Sequence, residues 1–419
     1  MGNRSSVTPS DVKFEQKPVR FGSPELRQAI DDIGRSFAQS ERDGTNPHTA
    51  IDLARQSRLG ALRVPRTDGG GGCSVRELFA TIIDLAEVAP DIPHILRTHF
   101  WFVEDRLRST NVPERTRWLE RIAAGDIFGN AVTELGGSAA VGTWVLQTKL
   151  LAKGDGFVLN GKKYYVTGSL YSDWISVQAS NEKDEVVASV IPTNREGVTL
   201  EDDWDGIGQR RSGSGTGIFT NVEVKAEEVL QESSAFTTED SSVEIKTYVI
   251  GQLCQLILTA IIVGIMRNVV TDAVEVVRGR ARTYSHGSAE TAAADPLLQE
   301  TIGRISTSAM AAEAVVLAAA EAQDASLASM IDGVADFELA HRGSVLAAQA
   351  KVIVDELAPR AATLLFDVGG SSAIKQSVDL DRHWRNIRTL SSHNPTVYKA
   401  RALGDYLVND ASLPINGFF

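Results

Sequence analysis

The chain of 419 residues sets 42 lysines and arginines against 54 aspartates and glutamates, a net charge of −12. That balance excludes a broad phosphate-binding surface, because nucleic-acid affinity rests on clustered Lys and Arg; a local basic pocket for one small anion remains open. With 43% hydrophobic and 23% charged residues, the composition is that of a globular protein of two or three folding units, large enough to need no disulfide or metal staple.

Residues 1–23 begin MGNRSSVTPSDVKFEQ, which has no apolar core, so a flexible polar tail is expected there rather than a secretory signal. Gly2 and Ser6 match a myristoylation pattern only formally. From 24 to 127 the period is helical, with apolar Leu26, Ile30, Ile33 and Phe37 at three- and four-residue spacing. The DGGGG run at 68–72 breaks it, and Ser74 is placed to cap the next helix, VRELFATIIDLAEVA. Pro90 and Pro93 end that helix and deliver His94 and His99 to the following one.

Between 128 and 240 short β-rich runs alternate with turn residues, suggesting a compact antiparallel unit. Gly154-Asp155-Gly156 and Asn160-Gly161 are both turn signals, the second being the stronger hairpin signal. From 241 to 419 helical periodicity returns in Ala-rich segments that predict an up-and-down bundle. Residues 248–266 (YVIGQLCQLILTAIIVGIM) carry no charge and approach spanning length. Gln252, Gln255 and Thr259 suit a buried bundle helix better than a membrane span, and no second such segment is expected. Cys73 and Cys254 are far apart and lack metal-ligand spacing, which fits a reducing cytoplasm.

Three motifs stand in order: NAVTELGGS at 130–138, KKYYVTGS at 162–169 and DRHWRNIRTLSSHNP at 381–395. Together they resemble the acyl-CoA dehydrogenase fold, and within it the flavin-dependent monooxygenases of the dibenzothiophene monooxygenase type, over nearly the whole chain from about residue 24. The resemblance implies an α+β architecture: an N-terminal helical domain (24–127), a central antiparallel β domain (128–240) and a C-terminal four-helix bundle (241–419).

It also implies a flavin between the β domain and the bundle. Tyr165 would supply the aromatic wall, Thr167 a donor, Asn130 and Thr133 a second edge, and Trp204 a neighbouring ring. Gly136-Gly137, and Gly370 and Ser371 in DVGGSSA, would let backbone approach the cofactor. The arginine that the family pattern has near this second run is missing here. Arg282 would reach the phosphate of a neighbouring subunit's flavin, implying a homotetramer. His393 and His99 correspond to histidines on the reactive side, with His94 a weaker alternate to His99. Read without the family, Tyr165 is a core aromatic, Thr167 a turn residue, the double glycine a helix end, and Arg282 a solvated charge beside Arg278 and Arg280.

The implied chemistry is that of a two-component monooxygenase. Reduced flavin (FMN, with FAD possible) from a separate reductase would meet O2 and form a hydroperoxyflavin sheltered by Asn130, Thr167, His99 and His393. The oxygen would pass to S, N or aromatic carbon of a small substrate. Imidazole titrates near neutrality, so these histidines could protonate or hydrogen-bond the peroxide. An acyl-CoA dehydrogenase needs a carboxylate base, and TLSSHNPTVYKARALGD after Arg388 has no glutamate. That activity, and a flavin-binding relative without turnover, are the alternatives. No metal ligand set, Ser-His-Asp order or Walker loop occurs. A cytoplasmic enzyme without nucleic-acid or membrane partners is expected.

Overall fold

The computed structural model describes residues 17–135, 146–231, 241–280, 285–331, 334–415, 417 and 419. Gly136, Gly137 and Arg282 lie outside the described residues.

Six helices come first: α1 (Pro24–Asp43), α2 (His48–Gln56), α3 (Val75–Val88), α4 (Asp91–Ile95), α5 (Arg97–Leu107) and α6 (Val112–Ala124). Their ends follow local chemistry. Ser23 Oγ accepts from Leu26 N–H at 3.1 Å, and Gly44 closes α1 at φ 66°. Ser74 caps α3 as the sequence suggests, in a full capping box: its Oγ accepts from Glu77 N–H while Ser74 N–H donates to Glu77 Oε2. Pro90 and Pro93 break the chain into the short α4 and then α5, which carry His94 and His99.

Seven strands follow: β1 (Phe128–Ala131), β2 (Lys149–Lys153), β3 (Gly156–Lys163), β4 (Trp174–Ser180), β5 (Val186–Pro192), β6 (Val198–Leu200) and β7 (Gly217–Val224). They form one sheet in the order β1-β4-β2-β3-β7-β6, with β5 also on β4. Most pairs are antiparallel, but β1 and β2 each run parallel to β4, which corrects the expectation of a wholly antiparallel unit. The two turn signals behave differently. Gly154 and Asp155 form the β2–β3 hairpin, which pairs Lys153 with Gly156. Asn160-Gly161 does not turn the chain; it lies inside β3, where the register against β7 shifts between Leu159 and Gly161. The glycine is needed there for contact rather than turning, since a Cβ would stand 2.4 Å from Thr148 Oγ1.

The last unit comprises α7 (Ser241–Arg278), α8 (Pro296–Ala328), α9 (Phe337–Gly369), α10 (Asp381–Ser391) and α11 (Thr396–Asn409). Helix α7 is the axis of the molecule. Its apolar residues share one core with α1, α3, α8, α9 and α10. Both α7 from Tyr248 onward and α8 are long and apolar enough to cross a membrane. The expectation of a single such segment is thereby corrected: alanines raise the hydropathy of α8 enough to outweigh its few charges. The apolar window of α7 is almost wholly buried within the molecule, whereas that of α8 is only one-third buried.

The α3–α7 crossing depends on the missing side chain of Gly264, where a Cβ would meet Ala86 Cβ and Ile83 O, both at 2.5 Å. Alanine is a better helix former than glycine by about 1 kcal/mol, but forcing a methyl into a packed crossing typically costs about 1–3 kcal/mol. Overpacking should win, so Gly264→Ala should lower the urea unfolding midpoint. An unchanged or raised midpoint would show that the two helices can part without cost.

Candidate active site

A cavity of about 550 Å³ opens between the strand ends of the sheet, the start of α5, the middle of α7 and the loop after α10. Its wall on the sheet side is made by Asn130 in β1 and Thr133 after it, by Tyr165 and Thr167 after β3, and by Ser214. Tyr164 N–H donates to Thr133 O at 2.9 Å, and Val166 N–H to Gly215 O at 3.1 Å, so these turns hold one another. Tyr165 sits in the left-handed region at φ 56°, an uncommon place for an aromatic residue, and leaves its ring 55% exposed. Trp204 meets that ring edge-on with centroids 6.1 Å apart, but itself borders a separate polar groove beside Arg210 and Asp379. Gly168 at φ 79° lets the turn reach the helices, since a Cβ would stand 2.2 Å from Ile95 O.

The hydroxyls form a short relay. Thr167 Oγ1 lies 2.9 Å from Ser214 Oγ, which lies 2.7 Å from Ser212 Oγ. Asn130 Oδ1 is buried with no hydrogen-bond partner among the described residues. An orphaned buried acceptor on a cavity wall calls for a donor from whatever fills the cavity. An exposed aromatic face, a row of hydroxyls and a free amide oxygen suit a planar ring with polar edges, so these residues fit a flavin.

The opposite wall is built from His94, Arg97, Thr98, Trp101, Cys254, Gln255, Leu258, Leu390 and His393. Arg97 is the fastening. Its Nε donates to Cys254 O at 3.0 Å, Nη1 to His393 Nε2 at 3.3 Å and Nη2 to Gln255 Oε1 at 3.4 Å. Because Nε2 of His393 accepts, its proton sits on Nδ1, which donates to Asn394 Oδ1 at 3.3 Å. Nδ1–H of His94 donates to Gln209 Oε1 at 3.0 Å, leaving Nε2 as the free ring nitrogen. Gln209 is fully buried, stands at φ 51°, and also takes Trp204 Nε1–H on its carbonyl and gives its N–H to Asn386 Oδ1.

Both cavity histidines are held neutral. Burial and then Arg97 push His94 down to about 3. The same causes in the same order, with His94 next, push His393 down to about 3. Part of the His393 ring still faces the open cavity, so its depression belongs to a filled, dry site more than to a wet one. Both directions favour the neutral ring, in which each histidine can accept one hydrogen bond and donate another.

His99 is not on the cavity. Its ring is completely buried, Nε2 donates to Gly60 O at 3.1 Å, and Nδ1 accepts from Phe128 N–H at 3.2 Å. It ties α5 to β1 with both nitrogens spent, and helical phase explains the difference, since His94 and Arg97 share the inward face that His99 leaves. Gly370 and Ser371 are remote too. They follow the end of α9, 18 residues beyond Lys351, roughly 27 Å along the axis, and Lys351 Nζ donates to Ser391 O beside the cavity floor. Sequence reasoning passed over Arg97, Gln209, Ser214 and Gln255. The signal for Arg97 was a cation between two histidines in PHILRTHFW, flanked by apolar residues.

Burial of the neutral rings has a pH consequence. The unfolded chain protonates His94 and His99 near 6.5, whereas the folded chain does so only near 3 and near 4. Their contribution to stability is therefore present above about 6.5 and is lost as pH falls towards the folded values. Urea midpoints should fall between pH 6.5 and 4.5, and His94→Gln should flatten that fall. An equal slope in the variant would refute the assignment.

The family model described as acyl-CoA dehydrogenase, middle domain, matches residues 129–222, and that described as acyl-CoA dehydrogenase, C-terminal domain, matches 256–397. A dibenzothiophene monooxygenase of Mycolicibacterium goodii is 30% identical over 391 residues, covering 90% of this chain and 91% of that protein. The probable FMNH2-dependent monooxygenase SfnC of Pseudomonas putida is 28% identical over 391 residues, covering 90% and 93%. Among solved structures, the methanesulfinate monooxygenase MsuC of Pseudomonas fluorescens superposes with a TM-score of 0.84 at 25% identity over 95% of this chain and all of that one. FMN-bound TdsC of Paenibacillus sp. A11-2 gives 0.83 at 25% identity over 94% and 98%. With these matches and a cavity made for a flavin ring, the chain belongs to the flavin-dependent monooxygenases built on the acyl-CoA dehydrogenase fold, the family of dibenzothiophene monooxygenase.

Proposed function

We propose that the chain is the oxygenase of a two-component system that takes reduced FMN from a separate reductase and inserts one oxygen atom of O2 into a small organic substrate. FMN is the cofactor named for the relatives SfnC and TdsC, and it supplies the chemistry of O2 activation as a hydroperoxyflavin. The remaining work belongs to this chain. Tyr165 gives the ring a face to lie against, Asn130 Oδ1 accepts from its polar edge, and the Thr167–Ser214–Ser212 hydroxyls donate and accept along it. His94 offers Nε2 towards the cavity, and His393 is held in one tautomer by Arg97 and Asn394. Gln209 positions His94 by fixing the proton on Nδ1.

The observation that carries this reading is the pair of neutral histidines meeting the flavin-edge residues across one cavity with no carboxylate in its described wall. Proton abstraction next to a thioester would need such a carboxylate, so the dehydrogenase reading has no base here. Burying the reacting centre away from bulk water limits loss of the activated oxygen as peroxide. The relatives act on sulfur compounds by name, and sulfur is the substrate atom we assign. The cytoplasm is the compartment we assign.

Two outcomes test the reading. Removing one hydrogen-bonding group from a site of developing charge typically costs about 10²–10³ in rate. His393→Ala, assayed with reduced FMN and O2, should therefore consume flavin but release hydrogen peroxide in place of oxygenated product. Coupling close to that of the unaltered protein would dismiss His393 from the reaction.

The second outcome concerns assembly. Leu297 and Met310 of α8, and Val397, Tyr398, Leu407 and Val408 of α11, are each more than 60% exposed. Such apolar surface is what subunit contact covers. Gly370 and Ser371 are too remote to serve the cavity of their own subunit, which suits a role towards a neighbour's FMN together with Arg282. A homotetramer is expected by light scattering, and Arg282→Ala should weaken FMN binding without dissociating it. A monomer that holds FMN tightly would contradict this.

A further inference from the structure

Among the described residues, the cavity wall contains one permanent charge and no opposite one. Among its described residues Arg97 is the sole Lys or Arg, and no Asp or Glu is present. Arg97 is buried, at 7% exposure, yet no carboxylate pairs with it among the described residues. Its three hydrogen bonds go to a backbone carbonyl, an amide oxygen and a neutral imidazole. The guanidinium has five N–H donors, so two remain. Elsewhere this protein pairs its buried arginines: Arg63 with Glu104, and Arg106 with Asp105 and Glu114.

An unpaired cation in a buried site is costly, and an anionic ligand entering the cavity would relieve that cost. We infer that the substrate is a small organic anion, held by the free N–H groups of Arg97 with its carbon portion against Trp101, Leu258 and Leu390. This deepens the monooxygenase reading and rests on it for the chemistry. With sulfur as the oxidised atom, an organic sulfinate combines both requirements. The step balances as R–SO2⁻ + O2 + FMNH2 giving R–SO3⁻ + FMN + H2O. One S–O bond forms, the O–O bond breaks, sulfur and FMNH2 each give up two electrons, and the second oxygen leaves as water. A neutral aromatic sulfide would leave Arg97 uncompensated in the closed site.

Binding tests the inference separately from turnover. The tetramer or other native assembly, saturated with oxidised FMN, is titrated by calorimetry with benzenesulfinate and with neutral methyl phenyl sulfone. The anion should bind about 10- to 100-fold more tightly, the span expected for hydrogen bonds to a charged group. Arg97→Gln should erase that difference by weakening the anion alone, and Arg97→Lys should restore part of it. Equal or tighter binding of the sulfone, or an equal loss for both ligands in Arg97→Gln, overturns the proposal. Circular dichroism of both variants separates a binding loss from misfolding, and the Lys variant keeps the test decisive if Gln is not folded. The monooxygenase reading fails independently if reduced FMN and O2 oxygenate neither an anionic nor a neutral sulfur substrate.

Discussion

The site depends on a single side chain crossing three parts of the fold. Arg97, the first residue of α5, reaches a carbonyl and an amide of α7 and meets a histidine 296 residues further along the chain. Each bond alone contributes little net stability, since folding exchanges it for a bond to water. Their joint effect is geometric. They fix the distance between the α5 end and the α10–α11 loop, and therefore the width of the cavity. They also fix the tautomer of His393, because a guanidinium can only donate and the facing nitrogen can only accept.

The same burial that shapes the cavity governs its chemistry. An imidazole in water sits near 6.5, whereas here the surrounding protein and the Arg97 charge hold His94 and His393 near 3. Two cations beside a third would repel, so neutrality is the lower-energy arrangement. The ion pairs of the N-terminal helices show the opposite solution. Arg106, fully buried, is ringed by Asp105 and Glu114, and Arg63 by Glu104. Arg63 and Arg106 are thus compensated by carboxylates, whereas Arg97 on the cavity wall has no carboxylate partner among the described residues.

Much of the fold was legible because its signals are local. Ser74 before α3 and the apolar run of α7 each act within a few residues, and each appears where the sequence places it. Asn160-Gly161 misleads because a hairpin signal and a bulge share the same need for a small residue, and only the partner strand distinguishes them. Within the site, Asn130, Thr133, Tyr165, Thr167 and His393 converge on one cavity. His99 does not, because a shift of five residues along a helix and its preceding turn reverses the face presented. Gln209 could not be found from pattern at all: its role comes from a left-handed turn that brings it to His94 from 115 positions away.

The crossing of α3 and α7 at Gly264 also bears on how the chain is made. Its nearest contact joins Ala86 to a residue 178 positions later, so the part of α3 that packs on α7 has no partner there until that much more polypeptide has left the ribosome, although α1 already covers another part. At bacterial or eukaryotic synthesis rates of about 5–20 residues per second, the delay is roughly 10–35 s. Loop closure over such a span also slows the search once both helices exist. Through that interval the α7-facing side of α3 around Ile83 and Ala86 stands uncovered on a nascent chain. Yield in a heterologous host should therefore be governed by chaperone capacity and translation speed as much as by the stability of the finished fold.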